Sequence, residues 1–375
     1  MSDYIPDWLL PEILCRLPVE SLLRCRCVSK QWYSLISSPD FISLYTSPPA
    51  PPLFLLRYFS TKPKKQEKYF VYSDPSSKTE NNTLVKELKF PFKTASGRPF
   101  GVVGFCNGLV FLSHDTYGYT NTFILWNPAI RKSITLSKPR FCSCPNVRYH
   151  VWLGFGFDHK TRDFKVVRMA YPLGANWDYI GPSEVEVYKL STGLWKTVNS
   201  KGFNNKLVMN NTSVYLNGAI HRVSYSEKRG EITNSLLVFN LSAETFSEIG
   251  LPLVLTRVCS GELCVVWVMN QYGKLESWME KFVVDPNGGI ENAIGFTRNG
   301  EFLIEPYPGD LSSYDPESGE FYDLGIYGRA DSFFMSKYIE SLVLLDGRSG
   351  AIADPSIASE SDSEEETEYT SSDSD

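Results

Sequence analysis

Residues 8–36 read WLLPEILCRLPVESLLRCRCVSKQWYSLI, and this run constrains the chain more than any other. Leu9, Leu10, Ile13, Leu14 and Leu17 recur at helical spacing and form one broad apolar stripe. Pro18 ends that helix, because proline has no N–H to continue the hydrogen-bond ladder and restrains the residue before it. Glu20 to Cys25 continue as a second short helix. A third runs from Ser29, a residue type that caps helix starts, through Trp32, Leu35 and Ile36. Ser38-Pro39-Asp40 reads as a turn before Phe41. Pro11 decides where the first helix begins. A start at Pro6 would cost Pro11 an internal bond, about 3 kcal/mol, whereas a start near Leu10 puts it in the first turn at no loss. The later start is therefore expected. A three-helix unit of about forty residues has too little interior to bury all these side chains. The surplus must pack on the next domain or be covered by another polypeptide.

Ser47-Pro48-Pro49-Ala50-Pro51-Pro52 follows, a stiff extended spacer. From Leu53 to about Leu345 the apolar period changes from helical to two, with frequent turn residues. Two hairpins recur. One carries Asp or Asn at a tight turn, as in Leu125–Ile134, Gly156–Val166, Val187–Trp195, Val238–Phe246 and Ser313–Phe321. The other is a strand entered through Asn or Gly, as in Phe105–Phe111, Val214–Ile220, Ser260–Val265 and Thr297–Leu303. Alternation of the two builds four-stranded sheets in series, which is a β-propeller. About 290 residues at about 40–50 per blade allow six or seven blades. Leu53–Leu56 and Ser341–Leu345 are the expected strands of closure. The fold class is mainly β, with domains at 1–45 (helical), 46–52 (linker), 53–347 (propeller) and 348–375 (a disordered acidic tail).

Charge and composition narrow the function. The formal net charge is −6, but residues 359–375 alone hold eight acids and no base. Of 43 Asp and Glu, 35 remain outside that stretch against 37 Lys and Arg, so the body is near neutral. It has no basic field for nucleic acid. The tail is too polar to fold and reads as solubilising, with serines placed to suit acid-directed kinases. No run is long enough to cross a bilayer, and MSDYIPDWLL is not a secretory leader, so a cytoplasmic or nuclear protein is expected. The eight cysteines then read as reduced, mostly buried thiols. Cys142 and Cys144 with His150 lack a second ligand pair, so no metal is expected. Gly154-Phe155-Gly156 has no following helix and is no dinucleotide site. His159 reads as a solvated turn residue, and His114 and His221 as strand ends near a propeller surface. None of the histidines sits in a nucleophile–base signature, so neither catalytic residues nor a cofactor are expected. The tryptophans Trp126, Trp152, Trp195, Trp267 and Trp278 read as packing between blades.

Arg16 to Phe41, RLPVESLLRCRCVSKQWYSLISSPDF, resembles the F-box of plant F-box proteins in its Leu-Pro, Ser-Leu-Leu-Arg, Val-Ser-Lys-x-Trp and Pro-Asp-Phe pieces. Cys106–Leu109, Trp126–Ala129 and Gly154–Arg168 are in turn similar to segments of the F-box-associated, kelch-like propeller of that family. Ile5-Pro6 in place of Leu-Pro, and Pro11 in place of an aliphatic residue, depart from the pattern. The resemblance implies a non-catalytic substrate receptor of an SCF (Skp–cullin–F-box) ubiquitin ligase, with a Skp-type adaptor, and through it cullin and RING proteins, as partners. It implies adaptor-facing roles for Ile5, Pro6, Leu9, Leu10, Ile13, Leu14, Leu17, Pro18, Leu22, Leu23, Val28 and Trp32. The target protein would meet loops on one propeller face. Tyr171–Pro182 and Ser224–Thr233 are the longest insertions, with Trp177, Tyr179, Tyr225 and Arg229 as candidate contacts. The rival expectation is a propeller that binds a small molecule or carbohydrate, with the helices as a structural cap.

Overall fold

The computed structural model describes residues 8–45, 53–73, 84–92, 100–114, 122–140, 148–174, 176, 183–199, 207–208, 213–228, 231–251, 264–284 and 290–345. Four short helices come first: α1 (Leu10–Leu14), α2 (Val19–Cys25), α3 (Lys30–Ile36) and α4 (Pro39–Leu44). The first begins at Leu10 with Pro11 in its opening turn, where a missing N–H costs nothing. Ser29 caps α3 by accepting the Trp32 N–H at 3.2 Å, worth about 1 kcal/mol. The turn expected at Ser38-Pro39-Asp40 instead starts a fourth helix. Ser38 Oγ accepts the Phe41 N–H at 3.2 Å, and Pro39 takes the N-terminal position its fixed φ suits.

The rest is antiparallel β-structure. The first blade contains β1 (Leu53–Ser60), β2 (Gln66–Tyr72) and β3 (Leu84–Leu88). The second is β4 (Gly101–Cys106), β5 (Leu109–His114), β6 (Thr122–Asn127) and β7 (Lys132–Thr135). The third is β8 (Arg148–Asp158), β9 (Asp163–Leu173), β10 (Glu184–Lys189) and β11 (Leu194–Val198). The fourth is β12 (Leu207–Val208), β13 (Val214–Leu216), β14 (Ala219–Lys228), β15 (Glu231–Asn240) and β16 (Thr245–Gly250). A two-stranded ribbon, β17 (Cys264–Met269) and β18 (Trp278–Val284), precedes the fifth blade. That blade is β19 (Asn292–Phe296), β20 (Phe302–Glu305), β21 (Asp310–Asp315) and β22 (Glu320–Tyr327). β23 (Phe334–Tyr338) then returns to complete the first. Among the described residues five blades stand in place of the expected six or seven. Strands of ten and eleven residues in the third and fourth blades use more chain per blade than the repeat estimate assumed.

Closure follows the expectation at its N-terminal strand and departs from it at the C-terminal one. Leu53 pairs with Tyr338 and Arg57 with Phe334, so β23 closes the ring rather than Ser341–Leu345. The buried Arg57 reinforces the seam. It makes a two-pronged pair with Glu67 at 2.8 Å and donates to the backbone oxygens of Ser332 and Phe100. Leu342, Leu344 and Leu345 are instead buried against the helices. They share one apolar cluster with Leu14, Leu22, Ile36 and Phe41 and with Cys106, Leu109, Ala129 and Ile130 of the second blade. Asn127, in the Trp-Asn-Pro-Ala stretch, donates to the oxygens of Ser341 and Val343 at 3.0 and 2.9 Å. Residues 341–345 are thus a strap that fastens the helical unit to the ring.

Two kinds of glycine set the ring's shape. Asn107 and Gly108 both have positive φ, 44° and 85°, the geometry of a two-residue hairpin turn. Gly154 and Gly156 in β8 let the fourth blade approach: a Cβ on either would meet Ile220, or Tyr215 and Leu241, within 2.9 Å. Trp126, Trp152 and Trp195 are buried between blades as expected, whereas Trp267 and Trp278 are only half-buried on the two-stranded ribbon. His221 differs from expectation. It lies inside β14, 6% exposed, and its Nε2 meets Tyr272 Oη at 2.6 Å, because that strand runs on to Lys228.

Candidate protein-docking surfaces

Two surfaces at opposite ends of the ring could hold a partner. The first is the outer side of the helices. In α1 the expected single stripe splits. Leu10 and Leu14, one turn apart, point inward and are 9% and 1% exposed. Ile13, one turn after the half-buried Leu9, is 39% exposed. Leu22 is fully covered. Leu17, Leu23 and Trp32 are half-buried, and Val28 and Pro18 are exposed. Ile5 and Pro6 lie outside the described residues. Leu10, Leu14 and Leu22 therefore have little surface to offer an adaptor, since the strap and second blade complete the interior they belong to. Trp8, Tyr33 and Leu44 do present large apolar surfaces, at 72%, 54% and 65%, and sequence reasoning missed them. Tyr33 was not legible in the sequence, because its i, i+3 spacing puts it on the same side of α3 as the buried Ile36. Nor was Leu44, because α4 was read as a turn.

Polar contacts hold these helices in place. Tyr45 Oη donates to the Leu17 carbonyl at 3.1 Å, which ties the end of α4 to the end of α1. Burial pushes the Tyr45 hydroxyl up to about 12, with the nearby Glu340 charge adding to it, so it stays a donor at neutral pH. Arg26 donates to Ser37 Oγ at 3.0 Å and lies over the Tyr33 ring at 4.5 Å.

The second surface is the far end of the ring. Phe155 of β8 faces Gly104 of β4, while Tyr215 Oη and Ser213 Oγ donate to the carbonyls of Phe157 and Leu153. Position rises together along β8 and β13, so these innermost strands run parallel. Equivalent connections therefore lie at the same end in each blade. The β4–β5 and β6–β7 turns touch the strap and helices. The β9–β10, β14–β15 and β1–β2 connections lie at the opposite end. The strand ends that flank the insertions expected to read a target, Leu173 and Glu184 of the third blade and Lys228 and Glu231 of the fourth, thus lie at the end away from the helices. Tyr225, half-buried in β14, belongs to this end. Trp177, Tyr179 and Arg229 lie outside the described residues.

Beneath those connections, between the third and fourth blades, is a polar cluster in an apolar wall. Arg222 is 9% exposed, with its guanidinium 6.0 Å from the centre of the Trp152 ring. Burial lowers it to about 10, still charged at neutral pH. Burial, then the Arg222 charge, lowers His150, which keeps its imidazole neutral. Arg168 and Glu186, both fully buried, pair at 3.2 Å. Among the described residues no group of three or more His, Cys, Asp or Glu could hold a metal ion. His150 is described, while Cys142 and Cys144 are not.

The opposite edge of the same blade junction is bonded internally. Lys165, 1% exposed, lies 2.9 Å from Asp158 and 3.0 Å from Glu244, and Ser242 also donates to Asp158. Burial alone would raise the Asp158 carboxyl, but hydrogen bonds from Ser242, Lys165 and Thr161 outweigh it and hold it well below the usual carboxylate range. Glu244 is drawn down to about 2: burial opposes the shift, and Lys165, Lys196 and Lys189 overcome it.

Residues 5–44 match the F-box domain, and residues 69–307, more than half of the chain, match the F-box associated beta propeller domain. The chain is 28% identical to the F-box protein At3g07870 of Arabidopsis thaliana, covering 88% of this chain and 89% of that one. It is 26% identical to the F-box protein CPR1 of the same plant, over 91% and 89%. To the F-box/kelch-repeat protein At3g23880 it is 24% identical, over 85% and 89%.

Proposed function

Because the chain belongs to the F-box proteins that carry an F-box associated β-propeller domain, we propose that it is a substrate-recognition subunit of an SCF ubiquitin ligase. One observation carries the reading beyond family membership. The helical unit fills its interior with the strap and second blade and still leaves Trp8, Ile13, Val28, Tyr33 and Leu44 uncovered. Large apolar groups left out of a completed core fit a partner. On this reading the adaptor takes the outer face, with Leu9, Leu17, Leu23 and Trp32 at its edge, and Ile5 and Pro6 extending it. Leu10, Leu14 and Leu22 support the face from beneath.

The mechanism is positional. The adaptor and cullin hold the chain at its helical end. The far face of the ring, with the Tyr171–Pro182 and Ser224–Thr233 insertions, holds a target protein. Target lysines are then kept near a charged ubiquitin-conjugating enzyme. The gain is effective concentration and orientation, with no bond made or broken by this chain's own residues. The work is assigned to the cytoplasm or nucleus. Co-purification with a Skp-type adaptor tests the reading. A stoichiometric complex, weakened at least tenfold by Leu17→Asp, is expected. A monomer indifferent to that substitution would favour the rival, a ligand-binding propeller with its helices as cap.

A further inference from the structure

We propose that the acidic segment 359–375 of this chain docks back on a basic patch where the helical unit meets the first and second blades. The patch is built from three elements. Arg24 projects from the last turn of α2, Lys86 from β3, Arg131 from the β6–β7 turn and Lys132 from the start of β7; Arg24, Arg131 and Lys132 are exposed. Glu20 pairs with Lys86 at 2.7 Å, and a second acid, Glu340, lies near it, since both charges act on Tyr338. The Glu20 carboxyl is held below the ordinary value first by the Lys86 hydrogen bond and charge, with smaller contributions from Arg24 and Arg131, as expected for one acid facing several bases. Lys86, Arg24 and Arg131 around Glu20, with Lys132 next to Arg131 in the chain, outnumber Glu20 and Glu340 and leave a local excess of positive charge. Arg24, Arg131 and Lys132 make no ion pair among the described residues.

The path of the chain supplies the occupant. Lys132 Nζ donates to the Leu345 carbonyl at 3.4 Å, so the last described residue sits on the patch itself. Thirty residues follow Leu345, and the last 17 hold eight acids and no base. The intervening 13 residues span up to about 45 Å when extended, more than a return to the patch requires. A tether of that length sets an effective concentration on the order of millimolar, enough for a contact made of exposed charge pairs that are each weak. The six serines and two threonines of the segment would add about −1.5 to −2 each on phosphorylation, so modification tightens the contact. This inference does not depend on the ligase reading.

The test uses the full chain. A carbodiimide that joins carboxylates to amines, with mapping by mass spectrometry, should link acids of 360–368 to Lys86 or Lys132. The links should disappear near 0.5 M salt, where screening shortens to about 4 Å. Arg24→Glu with Arg131→Glu should reduce them at least fivefold, both residues being exposed. In a second assay, a labelled peptide of residues 359–375 should bind the chain truncated after Ala358 at least tenfold tighter than the full chain, whose patch is filled. Links spread equally to Lys62, Lys160 and Lys274 would overturn the proposal. So would equal peptide affinities, which would leave the patch open to an outside acidic protein. A covalent dimer carrying the same links would assign the patch to a second copy and overturn it as well.

Discussion

The third blade and the helical unit contribute to the same apolar cluster, yet they are finished to different degrees. In β9, ten of eleven residues are buried, and β8 and β10 cover it on both sides. The helical unit buries Leu14, Val19, Leu22 and Ile36 as completely as any strand residue, but leaves Trp8 and Val28 about 70% in water. A blade has neighbours on both faces and spends its apolar residues on them. A helix on the end of a ring has one neighbour, so its second apolar face stays open. The difference lies in how many neighbours each element has.

Substitutions can break that comparison. Phe155→Ala, with the ring 3% exposed between the second and third blades, should cost about 3–5 kcal/mol in chemical denaturation. Lys165→Met leaves the buried Asp158 without its ion partner, while Glu244 keeps Lys189 and Lys196, and should cost about 3–5 kcal/mol because the Asp158 charge stays buried and uncompensated. Leu22→Ala, on the inner helical face, should cost about 2–5 kcal/mol and loosen the helical unit first, seen as faster amide exchange at residues 19–25. Acid sharpens the contrast. The folded Glu244 titrates below its ordinary 4.5, near 2, so its contribution is fully present above 4.5 and is lost as pH falls from there toward 2. The junction of the third and fourth blades should soften in that window, and Glu244→Gln should flatten the pH dependence of the midpoint.

Much of this organisation was readable before any coordinates. Asn107-Gly108 and Asn217-Gly218 announce hairpin turns because both residues of each must adopt positive φ. Ser29 and Pro11 mark their helix starts for similarly local reasons. What failed was long-range. Ser341–Leu345 looked like a closing strand because it is aliphatic, but the ring takes Phe334–Tyr338 and leaves the aliphatic run for the helices. The split of α1 into an inner pair, Leu10 and Leu14, and an outer residue, Ile13, was equally hidden. Helical spacing shows that a residue is apolar and on a stripe, whereas its burial depends on which partner reaches it.

Val28 offers the most direct test of the two-faced helical unit. It is 69% exposed, so Val28→Asp should move stability by no more than about 0.5 kcal/mol. The same substitution should weaken binding of a purified Skp-type adaptor at least tenfold in calorimetric titration, with the melting temperature unchanged. Unchanged adaptor affinity in a normally folded Val28→Asp protein would contradict the account.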